Sequence, residues 1–511
     1  MNPVLMILPQ GATIGGATTW VCRSADCLVS MGHKVTVFVH GSLAGHTDVS
    51  LPLDPRVRLV ADPSLPAPHT LAGRIETITA RYARLTEQAA CDAGAPVVVI
   101  PTRDADCFAA CAALAAGRPE QVRLLGWRHS PMPYERAIFA RYACAMSGMA
   151  AVSDELADEL RRDHPARASD VARIHNAVAI PGLCPERPSR HGRPLQLIYT
   201  GRLDEPIKRV TALVHMSDAL RAASIEHRVS IVGDGPARGL LQSLAAERPW
   251  ITLAGATDPA GVCAQLSQAD VFVLPSRVEG LSMAALEAMA HGCALMLART
   301  RSGAKDLVGD DEAGLIADTG PADTPEQAGL ALADGIGRLT QLDVGAMGRS
   351  ARARAQRLFS LERYARQASE QVQRVAHAEP ISISEPVGPF HTLRPASVPP
   401  DADERLRTCL SKLSGRRVAV FGCGAHTRAL RDVLVDAPAR IVAFSDDDPS
   451  MHGMELFGRP VVAPDAIADT GATDVIISSW LHEEDIWERR TQFERQHLRV
   501  HRLYGPVRQP A

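Results

Sequence analysis

Residues 269–292 read ADVFVLPSRVEGLSMAALEAMAHG, and this stretch decides the fold. The apolar run from Val271 to Leu274 predicts a buried parallel strand, because strands covered on both faces are apolar without alternation. From Ser282, apolar residues recur at helical spacing as far as Gly292, which predicts a helix that stops there. The N-terminus of such a helix directs backbone N–H groups and a positive dipole end at the space above the strand, so we expect an anion site there.

Two carboxylates flank this turn, Glu279 within it and Glu287 inside the helix, with seven residues between them. Six residues of helix at about 1.5 Å each place Glu287 roughly 9 Å from the anion site, which matches the reach from a diphosphate to a ribose. A carboxylate can accept hydrogen bonds from the paired ribose hydroxyls. Taken alone, the spacing favours a solvated helix with two incidental glutamates, and the surrounding residues shift that balance.

The sequence EGLSMAALEAMAHG resembles the E-x7-E motif of family-4 retaining glycosyltransferases of the GT-B fold, and the resemblance extends over roughly residues 3 to 375. It implies two facing Rossmann-like domains with a nucleotide-sugar donor in the cleft between them. It also implies that Glu287 holds the donor ribose and that Glu279 lies near the transferred sugar. In that family the amides between the two glutamates hold the diphosphate, and here they belong to Gly280, Leu281 and Ser282.

A second motif of the family follows the strand predicted at residues 195–200, in the sequence GRLDEPIKR of residues 201–209. The resemblance places Arg202 and Lys208 in the cleft, where they neutralise the donor diphosphate. A departing nucleoside diphosphate gains negative charge, and fixed cations stabilise that charge. Arginine supplies a planar fork and lysine a point charge, so a divalent metal becomes unnecessary. The alternative is a basic turn on the surface.

The first domain contributes three further candidate residues. A loop after the first predicted strand contains Gly15 and Gly16, which in the family touch the donor phosphate or the acceptor. A tight turn explains the same glycines equally well. His129 follows a strand predicted at residues 121–127 and is similar to the family histidine that contacts the donor sugar. The alternative for His129 is a loop histidine that is hydrogen-bonded to backbone.

Asp104 and Asp106 form a D-x-D pair that resembles a metal-binding motif. They stand where a strand gives way to a helix, so helix capping is the favoured interpretation, and Ser153 is predicted as another N-cap. We therefore predict no metal site. At Phe359 and Ser360 the resemblance implies that the chain crosses back onto the first domain.

The composition is that of an ordinary globular protein. The 511 residues suggest about three domains, with 46% hydrophobic and 22% charged residues. A net charge of −3 without a dense basic block argues against a nucleic-acid partner. Eleven cysteines form no disulfide or zinc pattern, and the sequence shows neither a signal peptide nor an apolar run of about 18 residues, so we expect a cytoplasmic protein. Peripheral contact with the inner face of a membrane stays open.

Residues 377–403 are rich in proline and serine and predict a linker to a third domain at residues 404–511. There a strand at residues 417–421 leads into GCGAHT, and an acidic run follows at residues 446–448, which is most of a dinucleotide fingerprint. Thr427 replaces the third small residue of that fingerprint. The domain resembles small Rossmann-type modules appended to sugar-processing enzymes. A structural, oligomerising or acceptor-presenting role is favoured over a bound NAD-type ligand, and an exposed turn is favoured for the acidic run.

These features predict an α/β protein with an acceptor-side domain at residues 1–178 and a donor-side domain at residues 179–376, followed by the linker and the third domain. The resemblance implies a retaining, metal-independent glycosyltransferase. It would move a sugar from a nucleoside-diphosphate donor, with a UDP-sugar favoured, to a hydroxyl of a glycan or lipid-linked acceptor, without a further cofactor. The rivals are a sugar-nucleotide epimerase or phosphorylase of the same fold and a non-catalytic nucleotide-sugar-binding scaffold.

Overall fold

The computed structural model describes most of the chain in two compact units, residues 1–390 and residues 391–511. The first unit contains two sheets and the second unit contains one. The described residues are 2–9, 11, 16–41, 51–68, 75–102, 104–182, 193–320, 322–381, 383, 401–447, 451–479 and 483–504.

The first sheet has seven parallel strands in the order β3-β2-β1-β4-β5-β6-β7. Its strands are β1 Pro3–Leu8, β2 Lys34–His40, β3 Arg58–Asp62, β4 Val97–Pro101, β5 Val122–Arg128, β6 Met146–Ala151 and β7 Val171–Arg173. The helices of this part are α1 Gly16–Ser30, α2 Glu76–Ala93, α3 Ala105–Gly117, α4 Pro133–Tyr142 and α5 Asp154–Asp163. Every residue of β1 and β4 is buried, as expected for central strands covered on both faces.

The second sheet has six parallel strands in the order β10-β9-β8-β11-β12-β13. Its strands are β8 Leu195–Thr200, β9 His227–Val232, β10 Ile251–Gly255, β11 Val271–Leu274, β12 Ala294–Ala298 and β13 Gly314–Ala317. The helices are α6 Glu205–Lys208, α7 Ala212–Ala222, α8 Arg238–Ala245, α9 Pro259–Gln268, α10 Met283–Ala290, α11 Ala304–Val308, α12 Pro325–Thr340 and α13 Val344–Leu358. The strand–turn–helix predicted from the opening stretch is therefore confirmed as β11 and α10.

The last helix of the first unit, α14 Leu361–Ala376, returns to the first domain. Val178 and Ser360 pair as a parallel bridge where the chain crosses. On α14, the hydroxyl of Tyr364 lies 2.6 Å from the hydroxyl of Ser24 on α1. The predicted crossing at residues 359–360 is confirmed, and it joins the two domains of this unit through packed side chains.

The second unit has six strands in the order β16-β17-β15-β14-β18-β19, of which β16 and β17 are antiparallel. Its strands are β14 Arg417–Phe421, β15 Arg440–Ser445, β16 Glu455–Leu456, β17 Arg459–Val462, β18 Asp474–Ile477 and β19 Arg499–Arg502. Its helices are α15 Ala402–Lys412, α16 Ala425–Ala429, α17 Arg431–Val435, α18 Glu483–Glu488 and α19 Thr491–Glu494. The predicted fold class, two Rossmann-like domains and a third small α/β domain, is confirmed.

The glycine loop of the second unit is tied down by its own acidic residue. A carboxylate oxygen of Asp446 accepts the N–H of Cys423 at 2.6 Å, and Thr427 donates its hydroxyl to the carbonyl of Gly422. Asp446 is half-buried and Asp447 is exposed and paired with Arg489, while Asp448 lies outside the described residues. The first residue of the acidic run therefore stabilises the loop.

Two predicted caps are confirmed. Asp104 accepts the N–H groups of Asp106 and Cys107 at the start of α3, and Ser153 accepts the N–H of Leu156 at the start of α5. These are the capping contacts that fill unsatisfied donors at a helix N-terminus. None of the described helices is long and apolar enough to cross a membrane.

Candidate active site

The candidate site lies at the carboxyl ends of β8 and β11, where the strand order of the second sheet reverses. Ligands of doubly wound sheets bind at such a switch point. Two hydroxyls there, Thr200 Oγ1 and Ser276 Oγ, are buried and have no hydrogen-bond partner within the described part of the chain. Buried polar groups are rarely left unpaired, so this edge of the sheet is suited to a ligand or a bound water.

The loop of residues 275–282 joins β11 to α10 and offers a row of backbone donors. Its N–H groups at residues 279–282 donate to no acceptor among the residues that the structure describes. Ser282 caps α10 by accepting the N–H of Ala285 at 3.3 Å. The amides predicted to hold a diphosphate therefore have no acceptor within the described part of the chain, and consecutive N–H groups of this kind beside a helix N-terminus can bind an anion.

The backbone of Gly280 packs closely against the backbone of the first domain at His129. A Cβ atom at Gly280 would lie 1.6 Å from the carbonyl oxygen of His129, so only glycine fits. The next residue, Leu281, is buried, and its carbonyl accepts a hydrogen bond from Asn176 Nδ2 at 3.0 Å. The 275–282 loop therefore makes two contacts with the first domain, one at Gly280 and one at Leu281.

Lys208 and Glu279 form an ion pair in the cleft, with Nζ 2.6 Å from Oε1. Their side chains are 27% and 13% exposed, so both are shielded from most of the solvent. Asp204 caps the short helix α6 by accepting the N–H of Ile207 at 3.0 Å, which sets where Lys208 leaves the backbone. The structure thus brings together one predicted cation and one predicted carboxylate, at charge-assisted hydrogen-bond distance.

Arg209, which was not among the predicted site residues, fixes the end of α6, the helix that carries Lys208. This residue has a positive φ of 49°, and its fully buried side chain donates to the carbonyl of Pro275 at 3.0 Å. Burial lowers the pKa of Arg209 to about 10, which leaves it charged at neutral pH. The contact ties the end of α6 to the start of the 275–282 loop. Its only sequence signal was its place beside Lys208.

The structure does not bring Arg202 into this cluster. Its side chain is 69% exposed, and its nearest acidic partner is Asp204, at 3.9 Å. Its backbone is fixed, because its carbonyl accepts a hydrogen bond from the Tyr199 hydroxyl at 2.8 Å. Arg202 therefore has a fixed backbone and a side chain that is accessible to solvent.

Glu287 on α10 reaches the first domain. Its Oε1 lies 2.7 Å from Nη2 of Arg23 on α1, and Nη1 of the same guanidinium donates to the carbonyl of Ala177 at 3.0 Å. Arg23 was not among the predicted site residues. Its signal was a lone arginine in the first predicted helix, seven residues after Gly16 and so on the same helix face.

His129 follows β5, and its loop is fixed by a carboxylate. Glu135 accepts the backbone N–H groups of His129 and Ser130 at 2.9 and 2.8 Å. The His129 ring lies edge-on to Trp20, with the ring centroids 4.3 Å apart. Trp20 and Glu135 were not among the predicted residues, because both act through contacts that the strand pattern does not reveal.

A polar cluster joins the domains beside the cleft. His175 Nε2 lies 2.8 Å from Asp306 Oδ1, which also accepts the N–H of Asp154 at 3.0 Å. Burial alone would raise the pKa of Asp306, but the hydrogen bond and charge of His175 hold it below its ordinary value. These three side chains are the only described group close enough to share a metal ion, and Arg173 already contacts Asp154 and His175 at 3.0 Å. The cluster is an ion-pair network across the domain interface.

The two predicted glycines divide between the described and undescribed parts of the chain. Gly16 begins α1, and a Cβ atom there would meet no atom of the described residues within 4 Å. Gly15 lies outside the described residues. The helix that starts at Gly16 is the one that carries Arg23, which places the glycine end of α1 and the Glu287 contact on one element.

Two family profiles match the sequence of this chain. Residues 14–180 match the profile described as Glycosyltransferase Family 4, and residues 194–341 match the profile described as Glycosyl transferases group 1. The first match covers six of the seven strands of the first sheet, all except β1, and the second match covers all six strands of the second sheet. Among curated protein sequences, none matches this chain.

Solved structures resemble the first unit in fold. HepE from Anabaena, in complex with UDP, is 16% identical with a TM-score of 0.54, covering 73% of this chain and 100% of that one. The lipopolysaccharide outer core galactosyltransferase WaaB, in its apo form, is 16% identical with a TM-score of 0.55, covering 73% and 99%. Sucrose-phosphate synthase from Thermosynechococcus elongatus is 18% identical with a TM-score of 0.56, also covering 73% and 99%. At these identities the likeness establishes the fold.

Proposed function

We infer the function from one premise: residues 14–180 and 194–341 of this chain belong to the glycosyltransferases of the GT-B fold. We propose that the chain transfers a sugar from a UDP-sugar, with retention of configuration, to a hydroxyl of a glycan or lipid-linked acceptor. One observation carries the proposal: the N–H groups of residues 279–282 have no acceptor among the described residues, and the same turn and helix carry the ion-paired Glu279 and the carboxylate of Glu287. That arrangement can take a diphosphate and a ribose together.

The donor would bind along α10. The diphosphate would rest on the N–H groups of residues 279–282, with Lys208 and Arg202 supplying positive charge. Glu287 would accept hydrogen bonds from the ribose hydroxyls. The choice of uridine is supported by the HepE structure, which is described as a complex with UDP.

The reaction would break the bond between the sugar C1 and the diphosphate oxygen and form a bond from C1 to the acceptor oxygen on the same face. The acceptor proton would pass to the leaving phosphate oxygen, so no side chain serves as nucleophile. Lys208 would stabilise the charge that develops on the leaving group, while Glu279 and His129 orient the sugar. With cations supplied by side chains, the transfer would need no divalent metal.

The direct test incubates the protein with a radiolabelled UDP-sugar and an acceptor, and analyses the products. We expect label in a glycan or lipid-linked product, released UDP in equal amount, and retained anomeric configuration. An epimerised free nucleotide sugar, or a requirement for inorganic phosphate, would establish the epimerase or phosphorylase instead. Donor binding without turnover of any acceptor would favour a non-catalytic scaffold.

A further inference from the structure

Among the described residues, Arg23 makes the one hydrogen bond that links the first domain directly to the carboxylate proposed to hold the ribose. Its guanidinium spans Glu287 Oε1 at 2.7 Å and the carbonyl of Ala177 at 3.0 Å. Ala177 lies just before the segment where the chain passes between domains. Arg23 therefore ties α1, the interdomain segment and α10 to one another through a single rigid fork.

The contact leaves part of the carboxylate available. Among the described residues, the hydrogen bond to Glu287 is made at Oε1, and the side chains of Arg23 and Glu287 are 26% and 30% exposed. A carboxylate has about four lone-pair positions, so Oε2 can accept from a ligand while Oε1 stays bound to the guanidinium. The partial exposure provides the access that a ligand needs.

We propose that Arg23 is a positioning residue for donor binding, which fixes the Glu287 carboxylate in the orientation that accepts the ribose hydroxyls. The inference rests on the proposed function. A free glutamate side chain loses rotamer freedom when it binds a ligand, and Arg23 removes that freedom beforehand. Because Arg23 belongs to the other domain, the ribose site is complete only when the two domains are together.

A purely structural role for Arg23 predicts that Arg23→Ala lowers the unfolding temperature. Under our proposal the unfolding temperature stays almost unchanged, because an ion pair as exposed as this one contributes little to stability. The matched control is Arg248→Ala. Arg248 pairs with Asp218 at 2.7 Å, its side chain is 27% exposed, and it also donates to a backbone carbonyl, that of Leu244.

The test measures the affinity of the protein for UDP and for 2′,3′-dideoxy-UDP, which lacks both ribose hydroxyls. We expect the wild-type protein to bind UDP more tightly than the dideoxy nucleotide. Arg23→Ala should weaken the binding of UDP by about tenfold, the change that 1.4 kcal/mol produces. The affinity for the dideoxy nucleotide stays the same. Arg23→Lys keeps one charged contact, so its affinity for UDP lies between those of the wild-type protein and Arg23→Ala. In a Glu287→Ala background the Arg23 substitution has no further effect.

Two results would overturn the inference alone. Equal weakening of both nucleotides by Arg23→Ala would mean that Arg23 contacts the diphosphate or supports the fold. Tighter UDP binding in Arg23→Ala would mean that the arginine competes with the ribose for Glu287. A wild-type protein that binds neither nucleotide, or binds both equally, contradicts the proposed donor site itself, and that outcome is visible without any variant.

Discussion

Lys208 and Glu279 neutralise each other in the cleft at 2.6 Å, so neither is left as a lone, partly buried charge. A lysine ammonium has three N–H donors. Lys208 can therefore keep one contact with Glu279 and turn another donor to a phosphate oxygen. In that arrangement the carboxylate would fix the position of the cation, and the cation would stabilise the leaving group of the proposed reaction.

Removing either charged partner of the donor is predicted to suppress transfer. Lys208→Ala and Glu287→Ala should each lower kcat/KM by a factor of about 100 or more, since one electrostatic contact to a transition state contributes roughly 3 kcal/mol. Steady-state kinetics with the radiolabelled donor measure the loss. Lys34→Ala is the control, because Lys34 donates to the Asp92 carbonyl on the surface. Turnover like wild type in either cleft variant contradicts these roles.

A single methyl group at Gly280 is predicted to separate the domains. Gly280→Ala would place Cβ 1.6 Å from the carbonyl oxygen of His129. That oxygen belongs to the backbone and cannot rotate away, so the loop must move. We expect a large fall in kcat/KM together with a lower unfolding temperature. The control is Gly239→Ala in α8, where a Cβ meets nothing within 4 Å and a helical alanine gains about 0.5–1 kcal/mol. Unchanged activity in Gly280→Ala would show that this contact does not form in solution.

At the residue scale, sequence could identify groups that stand next to predicted strand ends. Lys208 and Glu279 belong to local motifs, and their ion pair follows from the meeting of two neighbouring strand ends. Arg23 and Glu287 are 264 positions apart and lie on different domains, so no local pattern relates them. Arg202 shows the converse: its motif position predicts a place beside Lys208, whereas its side chain is 69% exposed and lies 3.9 Å from Asp204.

At the scale of elements, the sequence from about residue 325 to residue 378 is helical in character, and the structure forms three helices there, α12, α13 and α14. The divisions have a local cause. Asp343 accepts the N–H of Ala346, and Ser360 accepts the N–H of Arg363, so each caps a new helix. The helical character of this sequence indicates that helices form, whereas the place where each new helix begins depends on these caps.

The end of β2 carries a histidine that makes stability depend on pH. Burial, only partly offset by the carbonyls of Pro66 and Leu65, lowers the pKa of His40 to about 4, and its ring also bonds the Tyr82 hydroxyl at 2.7 Å. Below about pH 6.5 this histidine binds a proton in the unfolded chain, whereas in the folded chain it stays neutral down to about pH 4. The folded state therefore loses stability as the pH drops from about 6.5 towards 4.

The size of this effect is on the order of 3 kcal/mol, from 1.36 kcal/mol per pKa unit. Chemical denaturation between pH 7 and pH 4 measures it, and His40→Gln should flatten the decline, because glutamine does not titrate. If the two proteins lose stability in parallel over this range, His40 is not the group responsible.

At the scale of the whole molecule, the chain has two compact units with separate apolar cores. We predict that residues 391–511 fold alone, with a cooperative thermal transition that matches one transition of the full chain. Residues 1–390 expressed alone should keep donor binding, because every candidate site residue lies within them. Calorimetry of the three proteins checks this, and failure of both fragments to unfold cooperatively would show that the units depend on each other.

Sequence predicted the architecture of the second unit better than its chemistry. The strand and glycine loop at residues 417–424 were recognisable from local spacing, and so was Asp446. That the Asp446 carboxylate binds the Cys423 amide depends on the meeting of two loops at one sheet edge, which spacing does not specify. The sequence fingerprint alone therefore suggests an NAD-type ligand in this unit.

The central claim is that the cleft of the first unit holds a nucleoside diphosphate between Lys208 and Glu287. A crystal structure of the full chain with UDP tests it most directly. The account predicts the diphosphate on the N–H groups of residues 279–282, within hydrogen-bond distance of Lys208, and the ribose hydroxyls on Glu287. UDP bound instead at the glycine loop of the second unit, or a cleft that stays closed to saturating UDP, would contradict it.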